Sequence, residues 1–242
     1  MNQNESRFIN REISWLSFNE RVLQEAADRN NPLVQRMRFL GIFSNNRDEF
    51  FRVRVATVRR LAALRSSKRL LGGKTPQGLI KEIQEIVVKQ EDKFEAIYQE
   101  LIEELEHYNI HVINETQLTK EQGEFVENFY REKIRPILVP IMLQHTHEFP
   151  YLRDKPIYFA VKLSKNNNPK KTKYALLDLA TEILPRFVVL PNVGNKKFII
   201  ILDDIVRYAL NDIFSFFDYD KAEAYTIKIT RDAELDIDDD IS

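Results

Sequence analysis

The chain has 242 residues, with 36 Lys and Arg against 37 Asp and Glu, a formal net charge of -1 and no cysteine. A chain of this length can bury roughly 70% of its unfolded surface, and its balanced charge excludes a global field that would drive all of it onto nucleic acid or a membrane. The missing cysteines exclude a disulfide framework and a thiolate zinc centre and suit a reducing compartment, with the cytoplasm as the default.

The N-terminus, MNQNESRFINREISW, lacks an apolar core of signal-peptide length, and no run approaches the roughly 20 apolar residues that span a bilayer. A first helix is expected from a capping box of Ser17 and Glu20, with Ser14 a competing start. It runs to about Asp28, with Phe18, Val22 and Ala26 on one face. Asn31 before Pro32 opens a second helix that runs to about Ser44. Asn46, followed by Asp48 and Glu49, opens a third that continues to about Leu64. Thr75-Pro76 opens a fourth, long helix ending near His107. Its apolar series includes Leu79, Ile83, Ile86, Val87, Phe94, Ile97, Leu101 and Leu105.

Beyond that point short β-branched and aromatic runs appear, at Ile110 to Ile113, Ile137 to Leu143, Ile157 to Leu163, Tyr174 to Leu179, Phe187 to Leu190, Phe198 to Leu202 and Tyr225 to Ile229. They read as strands. Two helices interrupt them, one opened by Thr119 and running to about Ile134, the other from about Asp203 to Phe217. The polar loop Ser164 to Thr172, with Asn166-Asn167-Asn168-Pro169, reads as a hairpin connection. The expected architecture is α+β: an antiparallel helical N-terminal domain over residues 1–107, then a mixed α/β domain over 108–242. The acidic segment Asp236 to Ser242 follows a strand and has no room to complete a helix, which suggests that the second domain is truncated.

Charge is distributed unevenly along the chain. Between Arg36 and Lys74 lie Arg36, Arg38, Arg47, Arg52, Arg54, Arg59, Arg60, Arg65, Lys68, Arg69 and Lys74, against only Asp48 and Glu49. On an ideal helix Arg47, Arg54 and Arg65 share one direction and Arg52 and Arg59 another, giving two cationic rows whose planar guanidinium forks suit phosphate. The alternative is that these arginines pair with the acidic fourth helix, rich in Glu82, Glu85, Glu91, Asp92, Glu95 and Glu100. Asn46 also has two readings. As a helix start its side chain caps the backbone, and as an amide with both donor and acceptor it can meet an adenine edge.

The runs REISWLSFNERVLQEAAD, NPLVQRMRFLGIFSNNRDEFFRVRVA and DDIVRYALNDIFSFFDYDKAEAYTIKITRDAEL resemble, in order and across essentially the whole chain, the polyphosphate kinase family that works through a phosphohistidine. The resemblance implies a helical N-terminal domain followed by a head domain, and an enzyme that reversibly transfers the terminal phosphate of ATP to polyphosphate. It carries the family's nucleotide-contacting asparagine onto Asn46. It also implies ATP or ADP and polyphosphate as ligands, Mg2+ in the complete enzyme, a homo-oligomer (dimer or tetramer) built with the head domain, and a cytoplasmic place that allows membrane association. Nucleic acid is not expected as a partner.

The family's phosphorylated histidine, its second catalytic histidine and most phosphate contacts belong to later domains that have no counterpart in these residues. No catalytic residue is therefore expected here, and the chain alone is expected to be inactive. Arg47, Arg52, Arg54 and Arg59 are candidates to line the phosphate path. His107 and His111 straddle a helix end and a strand start, so their spacing does not bring them onto one helical face. His145 and His147 with Glu148 lack a convincing third ligand, and no metal site is assigned. No GxxxxGK[ST] loop, GxGxxG fingerprint or nucleophile elbow occurs. The rival function is a non-catalytic, arginine-rich polyanion-binding and dimerisation module.

Overall fold

A computed structural model of the chain describes residues 9–64, 73–143, 150–154, 156–166 and 172–232. The contacts divide it into two units, Met1–Leu105 with Thr230–Ser242 and Glu106–Ile229.

The first unit is helical. Helix α1 spans Arg11–Ala27 and starts on Asn10, whose Oδ1 accepts from the Glu12 amide at 2.9 Å. The start expected at Ser17 is corrected: Ser17 lies inside the helix, where its hydroxyl donates to the Ile13 carbonyl. The buried face is Leu16, Asn19, Leu23 and Ala26; of the expected row Ala26 lies on it and Val22 packs at its edge, while Phe18 is exposed. Helix α2 spans Leu33–Glu49. Asn31 does not cap it, since its amide turns back to the Glu25 carbonyl and carboxylate.

Nor does α2 end at Ser44. With no glycine or proline at 44–46 and a buried series of Leu40, Phe43 and Phe50, the helix runs through this polar stretch. It passes into a π-helical segment, Phe50–Val55, and then into α3, Ala56–Ala63. Helix α4, Pro76–Glu106, opens as expected, with the Gly78 amide donating to Thr75 Oγ1.

Cross-helix contacts fix the directions. Asn19 meets Phe43, and the Ala26 carbonyl meets Arg36, so α1 and α2 are antiparallel. Arg36 meets Glu100 and Glu104 while Arg47 meets Glu91, so α4 runs antiparallel to α2. The core has two apolar layers, Leu16, Phe50, Val55, Val58, Leu79 and Ile83 in one and Leu23, Ala26, Leu40, Phe43 and Leu101 in the other. Between Leu16 and Leu23 on α1, and between Ile83 and Leu101 on α4, stand the buried amides Asn19 and Gln90.

The second unit is α+β. Its elements are β1 Ile110–Ile113, α5 Lys120–Phe129 continued by a π-helical segment Tyr130–Ile134, β2 Pro140–Leu143, β3 Ile157–Ser164, β4 Lys173–Asp178, β5 Phe187–Val193, β6 Lys196–Ile201, α6 Leu202–Tyr208, α7 Leu210–Ile213 and β7 Lys221–Lys228. The strand expected from Ile137 begins at Pro140, because the turn leaving the π-helical segment occupies the residues before it. The helix expected from Asp203 to Phe217 is two short helices broken at Ala209. One sheet has the order β1-β6-β5, with β1 parallel and β5 antiparallel to β6. The other, β2-β4-β3-β7, is antiparallel throughout. Period-two alternation sends Phe159, Val161 and Leu163 of β3 into one core with Val188, Ile200, Ile205, Val206 and Phe214. Helix α5 starts on a capping box of Thr119 and Gln122. Among the described residues no helix is long and apolar enough to cross a membrane.

Candidate functional site

Asn46 stands in the last turn of α2, so the capping function open to a helix start is not its own. Its Nδ2 donates to Asn19 Oδ1 at 3.0 Å, and Asn19 Nδ2 donates to the Phe43 carbonyl at 3.2 Å. Asn19 is wholly buried, and Asn46 is half-buried. A carbonyl can only accept, so Asn19 must turn its NH2 toward Phe43 and its oxygen toward Asn46, and Asn46 must answer with an N–H. Asn46 Oδ1 and its second N–H have no hydrogen-bond partner among the described residues. What remains of the amide is one acceptor beside one donor.

The surroundings are aromatic on one side and charged on the other. Trp15 of α1 stacks on Phe50 with ring centroids 4.6 Å apart and planes 10° from parallel. Phe43 stacks on Phe94 of α4 at 5.8 Å, and the Arg47 guanidinium sits 5.7 Å from the Phe43 ring. Gln90 donates to the Leu16 carbonyl at 3.1 Å, which ties α4 to α1 at this level of the bundle. A recess of about 380 Å³ beside Gln90 is lined by Glu20, Lys89 and Lys93 among others, and Asn46 does not line it.

The structure separates the four candidate arginines. Arg47 points to α4 and pairs with Glu91, its side chain only 20% exposed. Arg54 faces Glu12 of α1 at 3.9 Å, where Arg11 also reaches the same carboxylate. Arg52 pairs with Glu49 on its own helix face at 2.7 Å, its side chain 42% exposed. Arg59 is exposed and makes no ion pair among the described residues. The two cationic rows drawn on an ideal helix do not hold, because the i→i+5 turns of Phe50–Val55 rotate every later side chain relative to Arg47. Arg65, Lys68 and Arg69 lie outside the described residues.

Arg36 was grouped with these cations and belongs elsewhere. It is 1% exposed, donating Nε to the Ala26 carbonyl at 2.8 Å, Nη1 to Glu104 at 2.6 Å and Nη2 to Glu100 at 2.8 Å. The hydrogen bond from Arg36 is the main reason that the Glu100 carboxyl is held below its ordinary range, with Arg29 at 3.2 Å adding to it.

In the second unit, His111 stacks on Phe198 at 5.2 Å and places Nδ1 3.5 Å from Glu106. His145, His147 and Glu148 lie outside the described residues. Among the described residues no three His, Cys, Asp or Glu side chains come together in a way that would hold a metal. An ion network of Glu115, Asp203, Asp204, Arg186 and Arg207 surrounds the start of α6. Burial and the Glu115 carboxylate push the Asp204 carboxyl up to about 6.

Sequence reasoning missed Asn19. The available signal was an asparagine in an otherwise apolar series, Leu16, Asn19, Leu23 and Ala26.

The chain matches two family models, the polyphosphate kinase N-terminal domain over residues 8–113 and the polyphosphate kinase middle domain over residues 121–242. It is 41% identical to a polyphosphate kinase of Vibrio parahaemolyticus over 98% of this chain and 34% of that protein. It is 42% identical to a polyphosphate kinase of Escherichia coli over 96% of this chain and 34% of that protein. The crystal structure of polyphosphate kinase from Porphyromonas gingivalis superposes with a TM-score of 0.81 at 34% identity, covering 94% of this chain and 33% of that one. The chain thus spans about a third of the length of these relatives. With its helical and α+β units matching the N-terminal and middle domains in order, the chain belongs to the polyphosphate kinase family.

Proposed function

We propose that these residues form the N-terminal and head domains, 1–107 and 108–242, of an enzyme that reversibly transfers the terminal phosphate of ATP to polyphosphate through a phosphohistidine outside them. Such transfer depends on positioning and on donors that stabilise spread charge. The contribution of the first domain is to hold the nucleotide base. The observation that carries this is the part of the Asn46 amide that Asn19 leaves unbonded, one acceptor beside one donor, the pattern that adenine complements with its N6 amino group and N7. The half-buried Arg52 and the exposed Arg59, beyond it along the chain, add positive potential toward the phosphates. Arg47 and Arg54 act through the helices they hold. Phosphoryl transfer from ATP calls for Mg2+, whose ligands the resemblance to the family assigns to later domains of the complete enzyme.

The test is Asn46→Ala in the full-length enzyme. The expected outcome is a KM for ATP raised by roughly five- to tenfold with an unchanged melting temperature. Unchanged KM at normal stability would overturn the base contact.

The head domain is proposed to serve subunit association in a cytoplasmic dimer or tetramer. Supporting this, β5 turns Phe187 and Val189 outward from the three-stranded sheet, 61% and 65% exposed. The second reading, a polyanion-binding module, is favoured by Arg59, which has no ion pair among the described residues. Salt-dependent binding of polyphosphate by this chain that disappears in Arg52→Gln/Arg59→Gln would support it, and salt-independent binding would count against it.

A further inference from the structure

We infer that Asn19 is a positioning and specificity-determining residue for the nucleotide, acting through Asn46; this rests on the base contact proposed above. The observations form a chain of one-way hydrogen bonds. The Phe43 carbonyl accepts from Asn19 Nδ2 at 3.2 Å, and Asn19 Oδ1 accepts from Asn46 Nδ2 at 3.0 Å. Neither bond can be reversed. The carbonyl has no proton to give, so Asn19 cannot flip, and with Asn19 fixed Asn46 cannot turn its oxygen inward without setting two acceptors against each other.

An asparagine amide is symmetric in shape but not in chemistry. Free to rotate, Asn46 could present its acceptor and donor in either order or swing the whole NH2 group outward. Held by Asn19, it keeps one N–H engaged and offers one N–H and Oδ1. Adenine supplies the complement, N6–H2 as donor and N7 as acceptor, whereas guanine offers two acceptors, O6 and N7, on the same edge. Oδ1 facing the guanine O6 is repulsive. Releasing Asn46 from Asn19 frees an NH2 with two donors, which guanine accepts.

Burial fits this reading of Asn19. Its side chain is 0% exposed in a position flanked by Leu16 and Leu23, where an apolar residue would pack without needing any partner. A buried amide is kept in such a place at a cost to stability unless its bonds do something. The bond to the Phe43 carbonyl does not by itself call for an amide, because that carbonyl lies within α2 and is served by the helix.

The experiment compares Asn19→Leu, close in volume and without hydrogen bonds, with Asn46→Ala and the double variant in the full-length enzyme. Steady-state kinetics with ATP and GTP and thermal melts are the readouts. Asn19→Leu is expected to raise KM for ATP roughly fivefold, leave kcat within about twofold, and lower the ATP-over-GTP preference in kcat/KM by about tenfold, with melting unchanged. In the Asn46→Ala background the same substitution is expected to add nothing, because its only route is gone. Asn19→Ser, too short to reach both partners, is the second variant should the leucine disturb folding, with the same expected shifts. If Asn46→Ala raises KM while a folded Asn19 variant changes neither KM nor base preference, or if the two effects add in full, the positioning inference is overturned and the base contact stands. If Asn46→Ala itself changes nothing, both are overturned.

Discussion

Arg36 Nη2 lies 2.8 Å from Glu100 Oε1, and the same buried guanidinium closes the C-terminal end of α1 by donating to the Ala26 carbonyl. One side chain therefore ties three helices, and it does so with acceptors that a shorter or rounder cation cannot meet together. Arg36→Lys is expected to cost about 2–4 kcal/mol in chemical denaturation of the chain, since it leaves a helix-end carbonyl and a carboxylate without their donors. A loss under about 1 kcal/mol would show that water replaces the guanidinium freely. The pH dependence has a definite sign. Glu100 has its carboxyl lowered in the folded state, so its contribution is complete above the ordinary 4.5 and is lost as pH falls below it. The gap between wild type and Arg36→Lys should narrow in that acid range.

Asp204 points the other way. Its carboxyl is raised from 3.8 to about 6, by burial first and by the Glu115 carboxylate second. Between those values the folded chain holds a proton that the unfolded chain has released, so stability falls as pH rises through the window and the full penalty stands above it. Asp204→Asn is expected to stabilise the second unit by about 1–2 kcal/mol at pH 7–8, with the gain vanishing below about pH 4. Thermal melts of both proteins at the two pH extremes check this. A loss of stability at neutral pH would mean that the contact with Arg207 at 3.9 Å outweighs the burial.

Thr119 and Gln122 satisfy each other's backbone amides at the start of α5, and Gln122 also donates to the Pro191 carbonyl on β5 at 3.1 Å. Thr119→Ala is expected to cost about 1 kcal/mol, and Thr119→Ser much less, because serine keeps the accepting oxygen. Equal losses for the two would assign the effect to packing of the threonine methyl.

Trp15, the single tryptophan of the chain, is stacked on Phe50 in the helical unit. Its fluorescence should report that unit alone. Arg36→Lys is expected to shift the fluorescence midpoint, and Thr119→Ala to shift only the circular dichroism of the strands and helices beyond. Coincident midpoints in every variant would instead describe a single cooperative block.

What the sequence made legible follows from where its signals are local. Thr75 and Thr119 cap the helices they precede, and β-branched runs such as Ile157 to Leu163 became strands, because caps and period-two alternation act within a few residues. The failures at Ser17, Asn31 and Asn46 have one cause. Each is a good capping residue in isolation, but α1 starts at Asn10, Asn31 bonds backward to Glu25, and Asn46 donates one N–H across the bundle to Asn19. Capping chemistry says what a side chain can do, and tertiary packing decides whether the backbone needs it. The polar partner of Asn46 was illegible as a partner because the pairing spans 27 residues and has no local signature. The π-helical turns were equally hidden, since nothing in FFRVRV marks an extra residue per turn.

Those turns set the phase of the long polar helix. Before Phe50–Val55 the chain keeps Phe43 against α4 and Asn46 against α1, and from the end of the segment onward Val55 and Val58 pack with Leu79 and Ile83. An ordinary α-helix through the same residues, with none deleted, would swing everything downstream by roughly 100°. Val55 and Val58 would then face water while arginines turned inward. The segment is a vernier: one surplus residue lets a single helix turn Asn46 toward α1 and its later apolar stripe toward Leu79 and Ile83, two directions that an unbroken α-helix could not serve together.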